Sequence, residues 1–361
     1  MVIESGLIPN TLRCLLIHSL VYPFFHLFIH LFINFQNMAD TKPFRVILWC
    51  VPRSASTVLT KCFSFIENTQ IWFEPYTIAF FQDFQYIQRT GSNLPRSADD
   101  FDSGEFMRQK RYHAQGTSLQ HIFDLPTVDE TLIVRDSVKR QLDTIPDDKS
   151  VFVKDMAYGI TNFLDLLPSK TSGYRHTFLI RNPKKVLPAW RRLIIAQLTS
   201  DDKSTNSGQI FDETAFDMTS DVPYMMQGYS YKCQYDLWRH IKENYDPNPI
   251  VVDADDILSD PLSLLSKFTD ATNMPFRGAK SLSWDASADA ISKWRCFIPL
   301  ANARPGDFIY RTHSKAIFSS CFERRENQKQ SETYLEASSD VMKCVDETMP
   351  YYKEMARYKI S

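Results

Sequence analysis

The sequence predicts an α/β fold of three layers, a central parallel sheet with helices on both faces. Two observations predict it. Short apolar runs of strand character alternate along the chain with longer segments of helical period, the pattern that builds parallel sheets through crossover helices. Each run also ends in polar or charged residues, as strands do when their carboxyl ends meet at a binding crevice: Pro52-Arg53-Ser54, Glu74-Pro75, Asp155 and Arg181-Asn182-Pro183.

The elements follow in order. Phe44 to Val51 is continuously apolar and rich in β-branched residues, which marks a strand buried on both faces. After the loop Pro-Arg-Ser-Ala-Ser-Thr, the apolar residues Val58, Leu59, Cys62, Phe63, Phe65 and Ile66 recur at helical spacing. A second strand is expected at Gln70 to Phe73, and a helix from Pro75 through Tyr86. Residues 90 to 130 are polar and punctuated by glycine and proline, and they read as a surface excursion or lid. Ser150 to Lys154 and His176 to Ile180 are the next strands. Pro183 suits the first turn of the helix that follows, whereas Pro188 should end or kink it. Residues 199 to 222 read as a polar linker and Tyr224 to Asn244 as an amphipathic helix. A last strand is expected at Pro249 to Val252, a helix from Asp260-Pro261 through Phe268, and a final helix over Glu332 to Tyr358.

Composition narrows the function. With 361 residues, 43% hydrophobic and 23% charged, the chain can bury a substantial core. A formal charge of −2 supplies no global attraction to nucleic acid or anionic membrane, so an anionic ligand must be met by locally clustered cations. No nucleic-acid partner is expected. The seven cysteines are odd in number, scattered and without a Cys-x-x-Cys pair, which argues for reduced structural thiols and against a disulfide scaffold or a zinc site. Residues 1–43 form an apolar extension ahead of the fold at 44–361. Within it, residues 13 to 35 are about long enough to cross a bilayer but contain His18, His26, His30 and Pro23. The preferred reading is that Met38 starts the protein and that it is cytoplasmic. The alternative is a signal anchor placing the fold in the Golgi lumen.

The first loop, Val51 to Leu59, contains no glycine and no Gly-Lys-Ser/Thr, so it is not a Walker A motif. Its physics is similar. Unpaired backbone N–H groups at a helix start, the helix dipole, the hydroxyls of Ser54, Ser56 and Thr57 and the charge of Arg53 together suit a phosphate. Helix capping by Ser and Thr is the plainer alternative.

At this point a family resemblance can be stated. PRSAST after a first buried strand resembles the 5′-phosphosulfate loop of sulfotransferases that use 3′-phosphoadenosine-5′-phosphosulfate (PAPS). IWFEPY at Ile71 to Tyr76 is similar to the Phe-Glu-Pro element of the carbohydrate-type members, and FLIRNPKKVLPAW at Phe178 to Trp190 resembles the segment that binds the 3′-phosphate. IVVDADDILSDPLSLLSKFTDATNMPF at Ile250 to Phe276 is similar to the late strand, acidic turn and helix of the family, and ARPGDF at Ala303 to Phe308 faintly resembles its donor-closing loop. The resemblance implies a P-loop type nucleotide-binding fold and PAPS as sulfuryl donor. It also implies a donor site at Arg53, Ser54, Ala55, Ser56, Thr57 and Arg181, a small-molecule hydroxyl acceptor and no metal.

Three departures bear on chemistry. Ala55 stands where glycine is usual, so its backbone is expected to keep a negative φ. Ala189 replaces a serine that contacts the 3′-phosphate, with Arg191 or Arg192 as substitutes. Lys154-Asp155-Met156 lacks the histidine that serves as base in cytosolic members. Glu74 is therefore the first candidate for the base and Asp155 the second, followed by a histidine such as His113 or His121. Arg53 and Lys154 would stabilise the leaving phosphate and the transferring group. Phe80, Phe81, Phe84, Tyr86, Tyr158, Tyr224, Tyr229 and Tyr231 suit either an acceptor pocket or the core, and Trp294 and Arg295 either a donor contact or structure. Rival readings are a P-loop kinase or nucleotide hydrolase, a Golgi carbohydrate sulfotransferase and a non-catalytic nucleotide-binding protein of the same fold.

Overall fold

A computed structural model describes residues 42–115, 128–205, 212–221, 229–302, 304, 308–322 and 338–361. Residues Pro43–Ser361 pack as one compact unit. Its centre is a five-stranded, all-parallel sheet of order β2-β3-β1-β4-β5, built from β1 (Arg45–Cys50), β2 (Thr69–Phe73), β3 (Ser150–Met156), β4 (Arg175–Ile180) and β5 (Ile250–Asp253). β1 lies between β3 and β4, so the connection from β3 to β4 passes over it. Such a reversal opens a crevice at the carboxyl ends of the central strands.

The helices among the described residues are α1 (Ser56–Phe63), α2 (Pro75–Thr90), α3 (Ser103–Ala114), α4 (Arg135–Asp143), α5 (Pro183–Thr205), α6 (Tyr229–Asn244), α7 (Ala254–Ser259), α8 (Pro261–Thr272), α9 (Asp289–Ser292), α10 (Phe308–Ile317) and α11 (Ser339–Ala356). They cover both faces because the central strands are apolar on both. Phe152 of β3 meets Phe63 of α1 at 5.0 Å between ring centroids, and Phe63 stacks on Phe268 of α8 at 5.7 Å. On the opposite face Trp49 of β1 packs against Tyr76 of α2 and against His176, while Gln234 of α6 donates to the carbonyls of Trp49 and Leu179. Burial pulls the His176 imidazole down to about 3, so the ring is neutral and accepts from Trp49 Nε1 at 3.0 Å.

Four expectations need correction. β3 runs on through Met156, so Asp155 lies inside a strand. The excursion at 90 to 130 contains α3, whose Gly104 sits in the first turn and does not interrupt the buried stripe Phe106, Met107, Lys110 and Ala114; Asp102 caps it by accepting from Glu105 N at 2.9 Å. α5 continues past Pro188 to Thr205, through residues expected to be linker. A short helix, α7, capped by Asp253, precedes Asp260-Pro261.

No disulfide joins the six described cysteines to one another, and five of them are buried. Among the described residues no helix is long and apolar enough to cross a membrane. The apolar segment 13–35, His121, Tyr224 and most of 303–307 lie outside the described residues.

Candidate functional site

β1 ends at Cys50 and the chain turns through Val51 to Ala55 into α1. Ser54 closes the turn by donating its hydroxyl to Val51 O at 2.7 Å. Two residues of this turn are left-handed without being glycine, Arg53 at φ 61 and Ala55 at φ 62. The expected negative φ at Ala55 is thus overturned: the loop keeps the path a glycine would take. The Cβ there is strained at a cost of about 1–2 kcal/mol. Ala55 is also the N-cap of α1, with no side-chain cap and no acidic residue in the first turn. The first helical bond runs from Leu59 N to Ala55 O, so the amides of Ser56, Thr57 and Val58 precede it. This helix start is open to an anion.

Cations gather around it. Arg181 follows β4, donates Nη1 to Arg53 O at 2.7 Å and pairs with Asp255 at 3.3 Å, and Lys185 reaches the same carboxylate at 3.3 Å. Burial lowers the Arg53 pKa, and the nearby charges of Arg181 and Arg192 lower it further. Asp255 is the one carboxylate that pairs with any of Arg53, Arg181, Lys185 and Arg192 among the described residues. The excess of positive charge suits a multiply charged anion. Arg191 is committed elsewhere, to Asp340 at 3.0 Å and Phe216 O at 2.9 Å, which leaves Arg192, exposed on α5, as the substitute beside Ala189.

The other wall is a buried ion pair. Glu74, the N-cap of α2 with φ 58, pairs with Lys154 of β3, and its amide donates to Lys154 O at 2.7 Å. The Lys154 ammonium lies 4.7 Å from the Phe73 ring centroid and is 2% exposed. Burial pulls its pKa down, but Cys50, Glu74 and Asp155 together hold it above the usual value.

Asp155 projects from the opposite face of β3. Its oxygens accept from Tyr76 N at 2.6 Å, Thr77 N at 3.0 Å, Thr77 Oγ1 at 2.6 Å and Met156 N at 2.8 Å. It fastens the first turn of α2, while burial pushes its carboxyl up to about 7 against the pull of those donors.

Sequence reasoning missed His313. It lies on α10, with Nδ1 3.1 Å from Thr57 Oγ1 and its ring edge-on to Phe73 at 5.3 Å. The adjacent Thr312 carbonyl accepts from Arg53 Nη1 at 3.1 Å. Burial lowers the ring's pKa to about 4; Glu74 raises it, and Lys154 and Arg53 lower it. The available signal was a histidine on a helix just after ARPGDF, in the third of the chain where the resemblance loosens.

The remaining candidates separate. His113 lies on α3 beside Tyr86, Arg89 and Thr90, at the far end of α2 from Glu74, on the order of 20 Å along that helix. Arg295 is bound to Asp129 at 3.0 Å and sits 4.1 Å over Trp72, and Trp294 is buried against Phe73. Tyr231 is buried and donates to Arg181 O at 2.9 Å. Phe80, Phe81 and Phe84 are half-buried and form one aromatic group with Tyr158, close to Glu74.

Fold and site together define a three-layer α/β protein with an all-parallel five-stranded sheet. A cluster of partly buried cations and an uncapped helix start meet at its strand ends. A solved sulfotransferase domain from the curacin biosynthetic pathway is similar over 85% of this chain and 98% of its own, with a TM-score of 0.41 and 13% identity. No family model matches the chain, and no curated protein matches it.

Proposed function

We propose that the crevice binds PAPS and that the protein transfers its sulfuryl group to a hydroxyl of a small molecule, releasing 3′-phosphoadenosine-5′-phosphate (PAP). The observation that carries this reading is the convergence of the open α1 start with Arg53, Arg181 and Arg192, of which Arg181 alone pairs with a carboxylate among the described residues, beside a buried lysine on the neighbouring strand. A nucleotide with phosphates at both its 3′ and 5′ positions fits two separated groups of donors. The loop amides, Ser56, Thr57 and Arg53 would hold the 5′ end, and Arg181 with Arg192 the 3′-phosphate.

Transfer is an in-line displacement at sulfur, in which the protein has to align the partners and meet the charge that grows on the leaving phosphate. Arg53, the loop amides and Lys154 are the groups for that charge. Glu74 keeps the Lys154 ammonium paired and fixed at the strand end. The aromatic group of Phe80, Phe81, Phe84 and Tyr158 offers an apolar seat for the acceptor, next to Glu74. We place the reaction in the cytoplasm, on the odd number and scattered spacing of the seven cysteines, none in a Cys-x-x-Cys pair.

Calorimetric titration with PAP, with ADP and ATP as controls, tests the reading. Binding of PAP that exceeds ADP by at least about tenfold, and that collapses in Arg53→Ala and Arg181→Ala, is expected. Equal affinity for ADP, or magnesium-dependent binding of ATP in preference, would turn the assignment toward a kinase or nucleotide hydrolase.

A further inference from the structure

Three groups with acid–base capacity lie around the carboxyl ends of β2 and β3, and two are already committed. Glu74 is held by the Lys154 ammonium, and Asp155 receives four hydrogen bonds on the other face of the sheet. The third, His313, uses Nδ1 toward Thr57 Oγ1, and its Nε2 makes no hydrogen bond among the described residues.

We propose that His313 takes the proton of the acceptor hydroxyl during sulfuryl transfer. The assignment rests on the function proposed above and goes beyond it, because it moves the base from Glu74 at the end of β2 to a helix near the carboxyl end of the chain. It takes the tautomer in which Nδ1–H donates to Thr57 Oγ1, which leaves the Nε2 lone pair for the acceptor.

The helix carrying His313 is fixed on the donor loop's own helix by two rungs. Thr57 and Lys61 are one turn apart on α1, and His313 and Ile317 are one turn apart on α10. Thr57 meets His313 at one rung. At the other the fully buried Lys61 donates Nζ to Ile317 O at 2.5 Å and to Ser319 O at 2.9 Å, placing a cation on the carbonyl end of α10. A base held in register with the loop that aligns the donor stands in register with the line of attack.

The groups that face the ring are Thr57 from α1, Phe73 from β2, Glu74 at the start of α2, Lys154 from β3 and Arg53 from the loop. Burial, Lys154 and Arg53 keep the ring neutral at physiological pH, as a base must be. Donor phosphates and sulfuryl oxygens beside Arg53 and Lys154 offset those two charges and raise the ring's affinity for a proton when it is needed. In the step itself the acceptor O–H bond breaks and its proton goes to Nε2. An O–S bond forms to the acceptor, and the S–O bond to the 5′-phosphate breaks with its electron pair left on PAP.

His313→Ala and His313→Gln test the proposal, measured beside Glu74→Gln by PAP titration and by transfer from labelled PAPS to a panel of alcohols and phenols. Both His313 variants are expected to bind PAP within about threefold of the parent and to lose about 10²–10⁴ in kcat. They are also expected to lose the acidic limb of the pH profile, and imidazole should restore part of the His313→Ala turnover. Turnover within about threefold of the parent with the acidic limb intact in either folded variant would overturn the assignment. So would a loss confined to Glu74→Gln. A parent that neither binds PAP nor transfers from PAPS fails one step earlier and removes the sulfuryl-transfer reading together with this assignment.

Discussion

Replacing Lys154 with Met isolates the electrostatics of the buried pair. Lys154 and Glu74 side chains are 2% and 11% exposed, so deleting the ammonium strands a carboxylate where water reaches it poorly. Breaking such a pair from one side costs about 3–5 kcal/mol, whereas replacing both partners is close to neutral. Lys154→Met should therefore lose about 3–5 kcal/mol of stability, and Glu74→Gln/Lys154→Met should recover most of it. With a urea slope near the upper end of the usual 1–3 kcal/mol/M, the midpoint of the single variant drops by about 1–2 M. The Lys154 pKa is raised in the folded protein, so its contribution is complete below the ordinary lysine pKa and is lost only as pH rises through the raised one. Measurement at neutral pH captures it whole. Urea unfolding of parent, both single variants and the double variant decides the matter. A Lys154→Met midpoint within about 0.3 M of the parent, or a double variant as unstable as the single, would refute the reasoning.

Three further outcomes are expected. Ala55→Gly removes a Cβ held at φ 62 while adding freedom to the unfolded chain, so stability rises by up to about 1 kcal/mol in urea unfolding; a loss of that size would contradict the left-handed loop. A Cβ at Gly159 would lie 2.6 Å from the Tyr76 carbonyl carbon, so Gly159→Ala pushes back the first turn of α2, costs about 1–3 kcal/mol and lowers turnover through displaced Glu74. Thermal unfolding alongside single-turnover assays reads both effects. Arg192→Ala weakens PAP binding about tenfold with stability unchanged, while Arg191→Ala, which takes the cation from the buried Asp340 and leaves it the amides of Met218 and Val341, does the reverse; interchanged results would reassign the two arginines.

The strands were legible in the sequence because each centres on a short apolar run, and their carboxyl ends were marked by nearby polar residues. Helix boundaries were less so: Gly104 and Pro188 read as interruptions, but one sits in a first turn and the other lies in a helix that packs against α11. The cation-rich half of the site is contiguous with β1 and β4 and could be read locally. The hydrogen bonds of Asp155 could not be read locally, because its partners Tyr76 and Thr77 are distant in sequence. His313 was invisible for the same reason, since only folding brings α10 onto α1.

Lys154 and Asp155 are neighbours on one strand, and through opposite faces of the sheet they grip the same helix start, one at Glu74 and the other at Tyr76 and Thr77. That double anchorage confines the reacting end of α2 to the sheet and leaves the chain beyond Thr90 out of its fixing. A one-residue slip of β3 would turn both side chains to the wrong faces and release both grips at once.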